Sequence, residues 1–123
     1  MARNKTKVKT ILNSTIKKIT QNLDIEELIL FGSHAKGNPN DLSDIDLAVI
    51  SQDLNPRLPI FDNNLHIKRT CNVHHPDLQL ISLHPSKFYN PNSFIDPGFI
   101  QEIKRTGKVI YSKQKGLDLS FLD

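Results

Sequence analysis

The chain has no tryptophan, a single cysteine and two tyrosines among its 123 residues. One cysteine, Cys71, excludes an internal disulfide framework and fits a reducing cytoplasm, the expected compartment. No apolar run approaches the roughly 18–20 residues of a membrane span, so no membrane role is expected. The opening Met1-Ala2-Arg3-Asn4-Lys5 carries charge but leads into no apolar signal region, so secretion is not expected either. Neither sign of charge dominates: 16 basic residues stand against 13 acidic ones, a net charge of +3. That balance helps to draw in an anionic nucleotide and is too slight to predict binding to duplex nucleic acid. Internal repeats and low-complexity blocks are also missing.

What is present is ordinary for a globular protein, 37% hydrophobic and 24% charged residues. The length allows one domain with one core, taken as residues 1–123. Val8, Ile11, Leu12, Ile16, Ile19 and Leu23 recur close to a 3.6-residue period, which predicts an amphipathic helix over 5–23 with Lys7, Lys9, Lys17 and Lys18 on its wetter sides. Glu27 to Phe31 is a short apolar run stopped by Gly32, read as a strand buried on both faces. One helical turn is expected from Ser33 to Lys36. Gly37-Asn38-Pro39-Asn40-Asp41 is dense in turn formers and reads as an exposed loop. A second strand follows from Asp44 to Ile50.

The stretch from Ser51 to His75 stays open. Leu58, Phe61 and Leu65 suit a short helix, while Asn63-Asn64 suits a hairpin turn. Asp77 to Leu83 is a third strand. Asp96 reads as an N-cap with Pro97 at the first helical position, Phe99, Ile100 and Ile103 as a core-facing stripe, and Gly107 as a left-handed helix end. Val109 to Tyr111 closes the order as a last short strand. The pattern α-β-β-(x)-β-α-β predicts an α+β domain, close to α/β, with a small mixed sheet flanked by helices.

The chemistry-bearing pattern is Gly32-Ser33, ten residues, then Asp44-Ile45-Asp46. Alternate strand positions share a face, so Asp44 and Asp46 project together while Ile45, Leu47 and Val49 enter the other side. Two adjacent carboxylates repel, and a divalent cation with hard oxygen ligands, Mg²⁺ above all, relieves that conflict. Gly32 allows a close backbone approach, and Ser33 offers a hydroxyl and an amide to phosphate oxygens. Asp77, opening an aliphatic strand after Pro76, is the candidate third carboxylate for a two-metal in-line displacement. Lys36 and Ser43 complete the candidate phosphate contacts.

This spacing resembles the signature of the polymerase-β-like nucleotidyltransferase superfamily. The compact form is similar to the minimal nucleotidyltransferases of bacteria and archaea. The resemblance runs from about Glu27 to Tyr111, including the ending Phe99-Ile100-Gln101-Glu102-Ile103 to Gly107-Lys108-Val109-Ile110-Tyr111. It implies that Gly32 and Ser33 contact a triphosphate, that Asp44 and Asp46 bind a pair of Mg²⁺ ions, and that Asp77 is the third carboxylate. His34 and Lys36 stand where arginines are common in such proteins. The resemblance also implies ATP as substrate, AMP transfer to a hydroxyl of a partner protein, and a small helical HEPN toxin as that partner, this chain being its antitoxin. The alternatives are a binding module that neutralises a partner without catalysis, or transfer to RNA or a small molecule.

Other reactive residues read as structural. Cys71, His74 and His75 lack a fourth ligand at zinc spacing and are taken as a surface loop. His66 and His84 are expected at the surface or partly buried, and Tyr89 and Tyr111 in core or rim packing.

Overall fold

A computed structural model of the protein describes residues 5–36, 44–90 and 97–120. Helix α1 (Lys5–Asn22) leads into β1 (Ile25–Phe31), the single turn α2 (Ser33–Lys36) and β2 (Ile45–Ser51). Then come α3 (Ile60–Cys71), β3 (Leu78–Leu83), α4 (Pro85–Tyr89), α5 (Pro97–Thr106), β4 (Lys108–Ser112) and the short β5 (Gly116–Leu117). The strands lie in the order β3-β2-β1-β4-β5. β1 pairs antiparallel with both β2 and β4, while β3 returns parallel to β2 after the crossover through α3. The sheet is mixed and flanked by helices, as expected.

Strand periodicity sorts the core into two layers. Leu28 and Leu30 of β1, Ile45, Leu47 and Val49 of β2, and Leu78 and Leu80 of β3 pack with Val8, Leu12, Ile16 and Ile19 of α1 and Ile67 and Cys71 of α3. The alternate residues Ile29, Ala48, Ile50 and Leu83 pack instead with Phe88 of α4 and with Ile100 and Ile103 of α5. β2 therefore lies between two apolar layers, and every residue of it except Asp46 is buried.

Three expectations need correction. Gly107 is not left-handed: the glycines with positive φ among the described residues are Gly32 and Gly116. Gly107 instead answers crowding, since a Cβ there would come within 2.5 Å of both the Ile103 carbonyl oxygen and an Ile29 methyl. Its own N–H donates to Ile103 O at 2.8 Å. Cys71 is not on a surface loop but ends α3, buried in the first layer. The open stretch does contain a helix, α3, yet Phe61 is exposed and the buried positions are Asn63, Ile67 and Cys71. Asn63 is buried because its amide pairs with the backbone of Asn55: its Nδ2 donates to Asn55 O and its Oδ1 accepts from Asn55 N. The Asp96 N-cap and the loop over 37–41 lie outside the described residues.

The crowding at Gly107 generates a prediction. Gly107→Ala should lower stability by about 1–3 kcal/mol, because the methyl must push the end of α5 off β1. Urea unfolding of the two proteins measures it; equal midpoints would show that the contact relaxes freely.

Candidate active site

The site begins where β1 runs out. Phe31 is its last residue, Gly32 follows with φ +75°, and α2 starts at Ser33. The left-handed region is costly for any side chain but open to glycine. Space gives a second reason for glycine here. The Asp46 carboxylate lies where a Cβ on Gly32 would stand, with its Oδ2 nearest. Phe31 and Asp46 are opposite each other in the β1–β2 ladder, so strand pairing itself delivers the carboxylate to the bare backbone of the turn.

Asp46 is half-buried at the end of the face formed by Ile29, Ala48 and Ile50, beside Phe31. Phe31 in turn meets Phe99 of α5 edge-to-face, with ring centroids 6.1 Å apart. This apolar flank raises the Asp46 pKa above the ordinary carboxylate value by desolvation; the neighbouring Asp44 charge raises it further, and His34 lowers it. Asp44 immediately precedes β2 and is exposed. His34, in the single turn α2, is 6% exposed. The sequence marked His34 only as a substitute for arginine; its position one residue past Gly-Ser, on a turn folded back over β2, was the available signal for a place next to Asp46.

Asp77 sits in the turn before β3. Its carbonyl accepts from Ile45 N–H at 2.8 Å, and its N–H donates to His75 Nδ1 at 3.1 Å. The parallel register matches Ile45 with Leu78 and Asp46 with Gln79, which carries Asp77 to the same end of the sheet as Asp44. Gly32, Asp44 and Asp46 are thus brought together, and Asp77 stands on the adjoining rim. Among the described residues no three His, Cys, Asp or Glu side chains are grouped so as to hold a metal ion. Lys36 is the last residue of α2, and its side chain, like Ser43, lies outside the described residues. His66 and His74 are exposed on or after α3, whereas His84 caps α4.

The donor set suits a divalent cation. Burial and the neighbouring Asp44 charge oppose ionisation of Asp46, and a hard cation lying between these carboxylates and phosphate oxygens would reverse that penalty. The bare Cα of Gly32 is what lets the Asp46 carboxylate seat against the turn.

The sequence matches the profile of the "Polymerase beta, Nucleotidyltransferase" family over residues 14–116. No curated protein matches it significantly. Among solved structures, a crystal structure of a candidate nucleotidyltransferase from Sulfolobus solfataricus superposes with TM-score 0.69 at 16% identity, covering 94% of this chain and 90% of that one. A chain of a toxin–antitoxin complex with AMP-PNP gives TM-score 0.54 at 21% identity, with 84% and 74% covered. A chain of the complex between tri-AMPylated Shewanella oneidensis HEPN toxin and MNT antitoxin gives 0.50 at 19%, with 87% and 74% covered. At these identities the structures share the fold.

Two expectations follow from the Gly32–Asp46 contact. Gly32→Ala should cost at least about 1–2 kcal/mol from its φ alone, before the displaced carboxylate is counted. Asp46→Asn should do the opposite in metal-free buffer. A carboxyl with a raised native pKa binds its proton more tightly folded than unfolded, so stability declines as pH rises from the ordinary carboxylate value of 3.8 through the native pKa. Asn removes that loss. Its urea midpoint should exceed that of the parent at about pH 7, and the gain should shrink towards about pH 4. A less stable Asn variant at neutral pH would contradict this account.

Proposed function

The chain belongs to the polymerase beta nucleotidyltransferase family, and from that premise we propose that it transfers AMP from ATP to a hydroxyl of a partner protein. The observation that carries the reading is the seating of the Asp46 carboxylate against Gly32, with Asp44 beside it, at the mouth of the β1–α2 turn. Here the two halves of the sequence pattern become one surface, with bare backbone for phosphate on one side and paired carboxylates on the other.

In this mechanism the Gly32-Ser33 turn holds the phosphates through its backbone and the Ser33 hydroxyl, with Lys36 and Ser43 as further phosphate contacts. Asp44 and Asp46 would hold Mg²⁺, a pair of ions being the expected complement. When bound, the metal supplies positive charge against the α-phosphate and the departing pyrophosphate. Asp77, on the same rim, would take the proton of the acceptor hydroxyl. The acceptor oxygen then bonds to the α-phosphorus, and the bond from that phosphorus to the bridging oxygen of pyrophosphate breaks. Phe31, paired with Asp46 across the strands and backed by Phe99, covers one flank of Asp46, which strengthens its interactions with charge.

The acceptor reading draws on the neighbours: two of the similar folds come from toxin–antitoxin complexes, one with a tri-AMPylated HEPN toxin. A small helical toxin of that kind is the proposed partner, with this chain as the antitoxin.

The experiment is labelling of a co-expressed partner with α-labelled ATP. Label should depend on Mg²⁺ and fall by at least about 100-fold in Asp44→Asn and in Asp46→Asn, the scale expected when groups stabilising transition-state charge are removed. Mg²⁺ should also raise the thermal midpoint of the parent by mass action and leave that of Asp46→Asn nearly unmoved. Undiminished labelling in both variants sinks the mechanism. A stable complex that never takes label would favour neutralisation by binding alone.

A further inference from the structure

The chemistry proposed above occupies one end of the sheet. At the other end, past the C-termini of the parallel strands β2 and β3, lies a cavity of about 470 Å³. Seven residues of β2 separate the two, about 20 Å along the strand. The cavity is walled by the loop after β2, the start of α3, and the β3–α4 junction.

We propose that this cavity is a second ligand site, for a small organic anion with an apolar body. Leu58, Pro59, Ile60 and Leu83 supply the apolar wall. Leu58 is 45% exposed, so part of this apolar wall is left to solvent. The charged lining is of one sign. Arg57 and Lys87 both face the cavity, and no carboxylate is among its lining residues. α3 opens on Pro59 and Ile60 with no side-chain cap, so the positive end of a twelve-residue helix meets the cavity. Asp62 of that first turn is exposed and outside the lining.

Ser82 supplies the independent sign of a ligand. It lines the cavity, it is 0% exposed, and its hydroxyl has no hydrogen-bond partner. Buried hydroxyls are nearly always paired, and an unpaired one on a residue of a cavity wall is a group that a polar occupant would satisfy once the hydroxyl turns towards it. His84 also lines the cavity. Its Nδ1 accepts from Ser86 N–H at 3.1 Å, so the neutral ring carries its proton on Nε2.

The walls are also preorganised. The buried Asn63 amide clamps Asn55 from both sides, and Asn55 Oδ1 accepts from Arg57 N–H at 2.9 Å. The loop carrying Arg57 and Leu58 is thereby pinned to α3 before any ligand arrives, which lowers the ordering cost of binding.

The test is amide chemical-shift mapping of the full chain with phenyl phosphate, phenylacetate, benzyl alcohol and inorganic phosphate. Phenyl phosphate or phenylacetate should shift residues 55–63 and 82–87 saturably, and the tighter of the two identifies the headgroup. Benzyl alcohol and inorganic phosphate, each lacking half of the chemistry, should bind at least about tenfold more weakly. Arg57→Gln with Lys87→Gln should weaken the better ligand by about tenfold or more, as expected for losing charge-assisted bonds. Ser82→Ala should weaken binding while leaving the thermal midpoint of the free chain unchanged or higher, a pairing that a structural role would not produce. Asp46→Asn should leave binding intact, which separates this site from the reaction proposed above. Shifts confined to Gly32 and Asp46, equal binding of benzyl alcohol, or binding indifferent to the Arg57 and Lys87 substitutions would each overturn the proposal.

Discussion

The pairing of Phe31 with Asp46 across β1 and β2 is the contact on which the site depends. It places a charged side chain against a residue that has none, at a φ that L side chains avoid. Neither half works alone. A longer side chain at position 32 would evict the carboxylate, and a strand register shifted by one would turn Asp46 into the α1–α3 layer and expose Leu47. The apolar residues of β2 guard against that slip, because Ile45, Leu47 and Val49 on one face and Ala48 and Ile50 on the other are buried. The core therefore fixes the register, and the register presents the carboxylate.

The same arrangement explains why the acidic pair is tolerated. Asp46 carries an unfavourable environment, desolvated by its apolar flank and repelled by Asp44, with His34 as partial relief. Strain of this kind persists where the surrounding structure over-determines it, and here both neighbouring strands do so. β1 holds Asp46 from one side. On the other, β3 runs parallel, and its preceding turn ties Asp77 O to Ile45 N–H.

Much of the fold was legible because period and spacing are local. The stripe from Val8 to Ile19 gave α1, the apolar runs gave β1 to β3, and the distance from Gly32 to Asp46 announced a return strand. What escaped was written in contacts rather than in pattern. Asn63 looks like a turn residue, and its burial follows from a clamp on Asn55 that no periodicity contains. Gly107 looks like a helix stop, yet it is small because Ile29 presses on it from a strand almost eighty residues earlier. α4 begins at His84-Pro85, where an imidazole does the capping that Ser or Asp usually does. At the site, the strand positions of the acidic residues could be read, but how far Asp77 stands apart from Asp44 and Asp46 depends on the turn at His75 to Asp77, which carries no sequence signature of its own.

The two candidate sites, at opposite ends of β2, carry side chains of opposite charge. Acidic Asp44 and Asp46 stand where β2 begins, with Asp77 on the adjoining rim before β3, and basic Arg57 and Lys87 stand where those strands end. The polarity of the parallel pair reinforces this division, since the crossover helix α3 starts at the basic end and runs back towards the acidic one. At its far end Asn72 turns left-handed and closes the helix on Lys68 O, with Lys18 of α1 donating to Asn72 O. Both ends of α3 are therefore specified, one by an uncapped opening onto a cavity and the other by a closed turn near Asp77. A chain of this size has little surface to spare for recognition. Leu58 of the cavity wall is exposed, and the second site proposed there lies at the opposite end of β2 from the Asp46 carboxylate.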